Sequence, residues 1–145
     1  MKYTPLILIG LIVLASVFFV VTRNRPDSAV QQQTKKSSFE TQTSDQGQVS
    51  IKVTPEVLSE EQGKFKIIFD THSVDLNQDL MQVAVLVDDQ GSIYNPKKWE
   101  GSGPGGHHRE GVLIFESISG AASYVELSIK NIGGVPERLF KWSLK

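Results

Sequence analysis

Hydrophobic positions fall into three regimes along the chain. From Leu6 to Val21 they are nearly continuous, LILIGLIVLASVFFVV, interrupted only by Gly10, Ala15 and Ser16. Between residues 23 and 47 the only large apolar side chains are Val30 and Phe39. From residue 48 onward apolar and polar residues alternate in short runs. A period of two marks a strand with one buried face. Val49, Ile51 and Val53 alternate with Ser50, Lys52 and Thr54. Phe65, Ile67 and Phe69 alternate with Lys64, Lys66 and Asp70, with Ile68 as the exception. Val125, Leu127 and Ile129 alternate with Glu126, Ser128 and Lys130, and Phe140, Trp142 and Leu144 with Lys141 and Ser143. Val83, Val85 and Val87 line one face and Ala84 and Leu86 the other, so this strand is expected to be central. Ile93-Tyr94 and Val112 to Phe115 add two shorter runs.

These runs predict about seven strands within residues 48–145. Asp88 to Gly91 and Asn131-Ile132-Gly133-Gly134 read as hairpin connections. One helical turn is expected near Leu76–Leu80, and no stretch of the domain sustains a helical period. Several short, evenly spaced strands with turn signals between them indicate an all-β sandwich or barrel. The expectation is an immunoglobulin-like antiparallel β-sandwich, without the Cys…Trp…Cys pattern of antibody domains.

The apolar run and its flanks, residues 5–22, come to about 20 residues, the length a helix needs to cross a bilayer core. A cleaved signal peptide would want small residues three and one before the cut. The run instead ends in Val17-Phe18-Phe19-Val20-Val21. Residues 1–22 therefore read as an uncleaved transmembrane signal-anchor. Positive charges balance across it: the amino terminus and Lys2 precede it, and Arg23 and Arg25 follow it. The short amino flank favours a single-pass protein of the cell membrane with its domain on the extracytoplasmic side. Residues 23–47 read as a disordered linker, because so few apolar residues cannot offset the entropy of ordering. As a coil it would span roughly 25–30 Å.

Charge and cysteine content narrow the function. Fifteen Lys and Arg stand against sixteen Asp and Glu, so there is no basic excess of the kind that nucleic-acid binding calls for. With no cysteine there is no disulfide, no thiolate metal site and no cysteine nucleophile. G-x-S-x-G is also absent, and the chain is not expected to be an enzyme. A G-x-G-x-x-G occurs at Gly101, Gly103 and Gly106. It lacks the strand-to-helix setting of a dinucleotide site, so its glycines read as a flexible or ligand-facing loop.

All three histidines lie in loop-like sequence. His72 sits within Asp70-Thr71-His72-Ser73-Val74-Asp75, and His107 and His108 follow the glycine-rich loop. Imidazole is a common ligand for copper and zinc. His72, His107 and His108, with Asp75, therefore form a candidate metal site. Against that, Asp70, Thr71 and Ser73 are ordinary turn formers, and no metal-binding spacing is present. Trp99, Tyr94 and Arg109 are candidates for a ligand-binding surface, with core packing as the alternative for Trp99.

The strings DTHSVDL at 70–76, WEG at 99–101, GGHHREGVL at 105–113 and NIGGVPERLFKW at 131–142 resemble an uncharacterised family of exported or membrane-anchored prokaryotic β-sandwich domains. The resemblance spans most of residues 49–145. It implies a small sandwich behind a signal or a single span and brings no activity with it. The expected function is an extracytoplasmic binding or interaction module of unknown ligand, with an envelope protein or a metal ion as candidate partner besides the membrane entered by residues 5–22. The alternative is a copper- or zinc-binding domain.

Overall fold

The computed structural model describes residues 39–145. Nine strands and one short helix run in the order β1 Gln42–Gln46, β2 Val49–Leu58, β3 Gly63–Thr71, α1 Leu80–Val83, β4 Ala84–Asp88, β5 Ile93–Tyr94, β6 Pro96–Gly101, β7 His108–Phe115, β8 Tyr124–Ile132 and β9 Val135–Ser143. Every strand pairing is antiparallel. The described chain is all-β, in two sheets: one of five strands ordered β1-β2-β3-β7-β6, and one of four ordered β5-β4-β8-β9.

The alternating apolar positions are what the two sheets bury between them. Val49, Ile51 and Val53 of β2, Phe65, Ile67 and Phe69 of β3, Val125, Leu127 and Ile129 of β8, and Phe140 and Trp142 of β9 are all 4% exposed or less. Phe65 meets Phe115 edge-to-face, with ring centres 5.6 Å apart, and Trp142 at 5.4 Å, joining β3, β7 and β9 in one apolar core. The expected helical turn lies slightly later, at Leu80–Val83. There Asp79 caps the first turn, its carboxylate accepting from the Met81 amide at 3.0 Å.

Nine strands stand where about seven were expected, and both additions are polar. β6, PKKWEG, shows no alternation because most of its side chains are exposed; it is held by its backbone ladder to β7. β1, QTSDQ, falls inside the segment read as a linker, so the fold begins before residue 48. It is folded onto β2 in register from Gln42↔Val53 to Gln46↔Val49. The side-chain amide of Gln42 accepts from the Lys141 backbone N–H at 3.1 Å and donates to the Lys141 carbonyl. That amide therefore acts as a short piece of strand against the edge of β9. On the opposite side the chain itself crosses between sheets, from β5 through Asn95 into β6. The anchor expected at 1–22 and the part of the expected linker up to residue 38 lie outside the described residues. Among the described residues no helix is long and apolar enough to cross a membrane.

One end of the structure is tied by Arg138, which is 2% exposed. Its Nη1 donates to the Ile132 carbonyl at 2.6 Å, and its Nη2 donates to the carbonyls of Gln46 at 2.6 Å and Val49 at 3.2 Å. These carbonyls belong to the β8–β9 turn and the β1–β2 turn, which also meet through the Gln48 amide and the Gly133 carbonyl at 3.1 Å. Gly133 has φ +59°, and a Cβ there would lie 2.6 Å from the Val49 side chain. Burial pushes the Arg138 pKa down, but neutral carbonyls at its two terminal nitrogens offset part of the lost hydration, while its buried Nε–H has no partner among the described residues. Replacing Arg138 with Met should cost about 3 kcal/mol, because three inward carbonyls lose their donor. Arg138→Lys should recover only part of that, since an ammonium cannot fork between two turns. Equilibrium urea unfolding measures both.

Candidate functional site

The loop after β3 and the loop before β7 are zipped together along their backbones. The Thr71 amide donates to the His107 carbonyl at 2.9 Å, the Leu76 amide to the Gly106 carbonyl at 3.0 Å, and the Gly105 amide to the Leu76 carbonyl at 2.9 Å. Gly105 and Gly106 have φ of +114° and +73°, a conformation that glycine adopts readily. The histidines are spread along the outside of this zipper. His108 faces Asp70 across the β3–β7 register, with Nδ1 to Oδ1 at 2.6 Å. His107 lies 4.0 Å from Asp75. His72 is exposed and borders a separate depression with Asp45 and Ser50. Among the described residues no three of His, Cys, Asp and Glu are placed to hold one metal ion. The expected grouping of His72, His107, His108 and Asp75 is therefore not formed. The zipper uses the backbone of this region and sets His107 and His108 beside different carboxylates, with His72 paired to neither.

Arg109 is drawn inward. It is 4% exposed, and it donates to the carbonyls of Ser102 at 3.0 Å, Gln78 at 2.6 Å and Leu76 at 3.4 Å. Burial lowers its pKa and nearby Asp79 opposes that. Its guanidinium carbon sits 5.5 Å from the centre of the Trp99 ring, a distance within cation–π range. The Trp99 indole N–H donates to Ser102 at 2.9 Å. Trp99 also covers the place where β6 and β7 approach most closely: a Cβ on Gly101 would lie 2.5 Å from the Gly111 Cα. The first glycine of the G-x-G-x-x-G string thus serves strand pairing.

Tyr94, the third candidate, holds a turn. Its hydroxyl donates to Asp88 Oδ2 at 2.7 Å and accepts from the Ser119 amide at 3.1 Å. Asp88 Oδ1 accepts from the amides of Gln90 and Ser92, each at 2.9 Å. Desolvation raises the Asp88 pKa, but the bonds from Tyr94, Ser92 and Gln90 together outweigh it and hold the carboxyl below its ordinary 3.8. The stabilisation this provides is present above the ordinary carboxylate pKa and is lost as pH falls through the depressed value. An Asp88→Asn variant should therefore unfold more easily than the parent at neutral pH. The gap should hold steady down to about pH 5 and close on further acidification. Urea midpoints measured from pH 7 to pH 2 follow it.

With these three residues committed inward, the open surface lies elsewhere, on the outer face of the four-stranded sheet. The β4 side chains alternate: Ala84 and Leu86 enter the core while Val85 and Val87 face outward, half-buried. Strand register places Val85 beside Ser128 and then Leu139, and Val87 beside Glu126 and then Lys141. Ile93 pairs with Val87 on the other side. The rims of this face carry the two exposed large hydrophobic side chains of the described residues, Ile93 at 68% and Leu139 at 55%. Between them lies an open groove of about 530 Å³, continued by Met81 and Val83 of the helix.

Its polar side chains are arranged unequally. Ser128 donates to Glu137 at 2.6 Å, and Lys130 lies 3.6 Å from the same carboxylate oxygen. The Ser128 hydrogen bond, followed by the Lys130 charge, holds the Glu137 carboxyl below its ordinary range against desolvation. Glu126 is half-buried and makes no ion pair among the described residues. Its register partner Lys141 instead places its ammonium 3.4 Å over the Tyr124 ring. The groove was missed from sequence. Its one signal is β4, apolar on both faces; the strand is central as expected, between β5 and β8, and still leaves one apolar face open.

Comparison with family models, with curated proteins and with solved structures finds no match to this chain.

Proposed function

We propose that this chain is a membrane-tethered, non-catalytic binding module. Its domain faces the extracytoplasmic side, and the outer face of its four-stranded sheet docks an apolar segment of an envelope protein. The observation that carries the reading is the pair of exposed side chains, Ile93 and Leu139, flanking a valine floor. Large apolar side chains left exposed around a groove are a common mark of an interaction site. The fate of the other candidates also favours binding over catalysis. Tyr94 and Arg109 spend their polar atoms on the fold, and His108 is joined to Asp70. The apolar run at residues 6–21 supports the tether.

The strand order supports an immunoglobulin-like assignment. Setting β1 aside, β2-β3-β7-β6 opposes β9-β8-β4-β5. Taken as strands A to G in chain order, these are an A-B-E-D sheet and a G-F-C sheet extended by one strand. The docking face is then the outside of the second sheet, away from the loop ends.

A photo-crosslinking amino acid at position 139 should give one discrete adduct in native membranes, and the same group at Lys52, on the outside of the other sheet, should not. Equal labelling at both positions, or none at 139, would sink the reading. Ile93→Ser with Leu139→Ser should abolish docking while shifting the urea midpoint only slightly, because neither side chain belongs to the core.

A further inference from the structure

We infer that the docking face receives a single extended peptide segment of about five residues, carrying one lysine or arginine flanked by apolar side chains. This rests on the reading of the face as the docking surface and adds the chemistry of its occupant.

Size is the first argument. The exposed floor is about five residues long, near 17 Å, and the four strands set it roughly 14 Å wide. A footprint of roughly 240 Å² is far below the 800 Å² or so per partner of a standard protein–protein interface. A second copy of the domain meeting this face alone would be weakly held. One extended chain fits between Ile93 and Leu139, and its alternate side chains would repeat about every 7 Å along the floor.

Charge is the second argument. Lys130 and Glu137 lie together on one side of the face, and Lys141 is turned to Tyr124. That leaves Glu126, half-buried beside Val87, as the carboxylate without an ion-pair partner among the described residues. A cation arriving there gains an opposite charge in a partly desolvated setting, and an anion would be repelled. Apolar neighbours of that cation would cover Val85, Val87 and the two rim residues.

The test uses the full chain in phospholipid nanodiscs. The probe is the fluorescent peptide acetyl-Val-Ser-Lys-Ser-Val-amide, whose first, third and fifth side chains share one face when extended. Its analogue has norleucine in place of lysine. By fluorescence anisotropy, the lysine peptide should bind about threefold to fivefold more tightly than the norleucine peptide. Glu126→Gln should erase that difference, and Leu139→Asp should weaken both peptides alike, with Ile93→Asp as the second variant should the first fail to fold.

Equal affinity of the two peptides, or a ratio untouched by Glu126→Gln, would overturn the cationic occupant. Continued sensitivity to Leu139→Asp would in that case leave the docking face standing. Binding insensitive to both rim variants would remove the face as well. Absence of binding by either peptide at about 1 mM, or crosslinking of two copies of this chain through position 139, would overturn the single-segment occupant.

Discussion

Buried guanidinium groups that bond to backbone carbonyls set the limits within which the rest of this domain is arranged. Arg138 and Arg109 are both nearly inaccessible, and neither pairs with a carboxylate among the described residues. A guanidinium offers five donors in a planar fork, and each of these groups gathers carbonyls from separate segments. Arg138 ties the β1–β2 turn to the β8–β9 turn. Arg109 ties the loop before β7 to the stretch leading into the helix. An isolated buried charge would be costly. Here the charge is offset by the dipoles of the carbonyls that it gathers. The loops at the ends of the sheets are thus held from within by the backbone, with Leu76 in the core and the histidine side chains left outside.

That arrangement explains why the loops are a poor place to seek the function. A zipper that fixes Thr71, Leu76, Gly105 and His107 by their peptide groups leaves His72, His107 and His108 pointing to separate surroundings. The two sheets are also bridged at both sides, by the Asn95 crossing and by the Gln42 amide against Lys141. Part of the β9 edge is thereby occupied, which reduces the unpaired backbone open to strand addition. The outer face of the four-stranded sheet keeps the apolar exposure that the rest of the domain has removed.

The inner faces were legible because burial imposes a period of two on every strand that has a wet side. Ile67 and Phe69 or Leu127 and Ile129 declare themselves this way. β1 and β6 were not legible, because backbone pairing and not burial makes them strands. A residue such as Gln42 contributes through one hydrogen-bonded amide, which leaves no mark in a hydropathy pattern. The glycines read as a loop; Gly105 and Gly106 lie in one, while Gly101 lies in β6, where a neighbouring strand occupies the space. Arg109 and Tyr94 stood out in sequence as polar or aromatic residues near a loop. Only packing shows that both are turned inward.

The strand β4 is the most informative case: it is central as expected, paired with β5 on one side and β8 on the other. A strand apolar on both faces must hide two surfaces, and a sequence reader assumes that the fold hides both. Here the fold hides Ala84 and Leu86 and leaves Val85 and Val87 as the floor of an open groove. The polar side of that groove argues that the exposure is not an accident of composition. Ser128 and Lys130 are arranged to satisfy Glu137, so the face holds one compensated carboxylate and, at Glu126, one that is not. A surface shaped only for solubility would have little reason to set a half-buried carboxylate without an ion pair beside Val87, since an apolar neighbour reduces its hydration. The same neighbour strengthens its attraction to an arriving cation. The feature that is unfavourable in the isolated domain is the one that an incoming lysine or arginine would relieve.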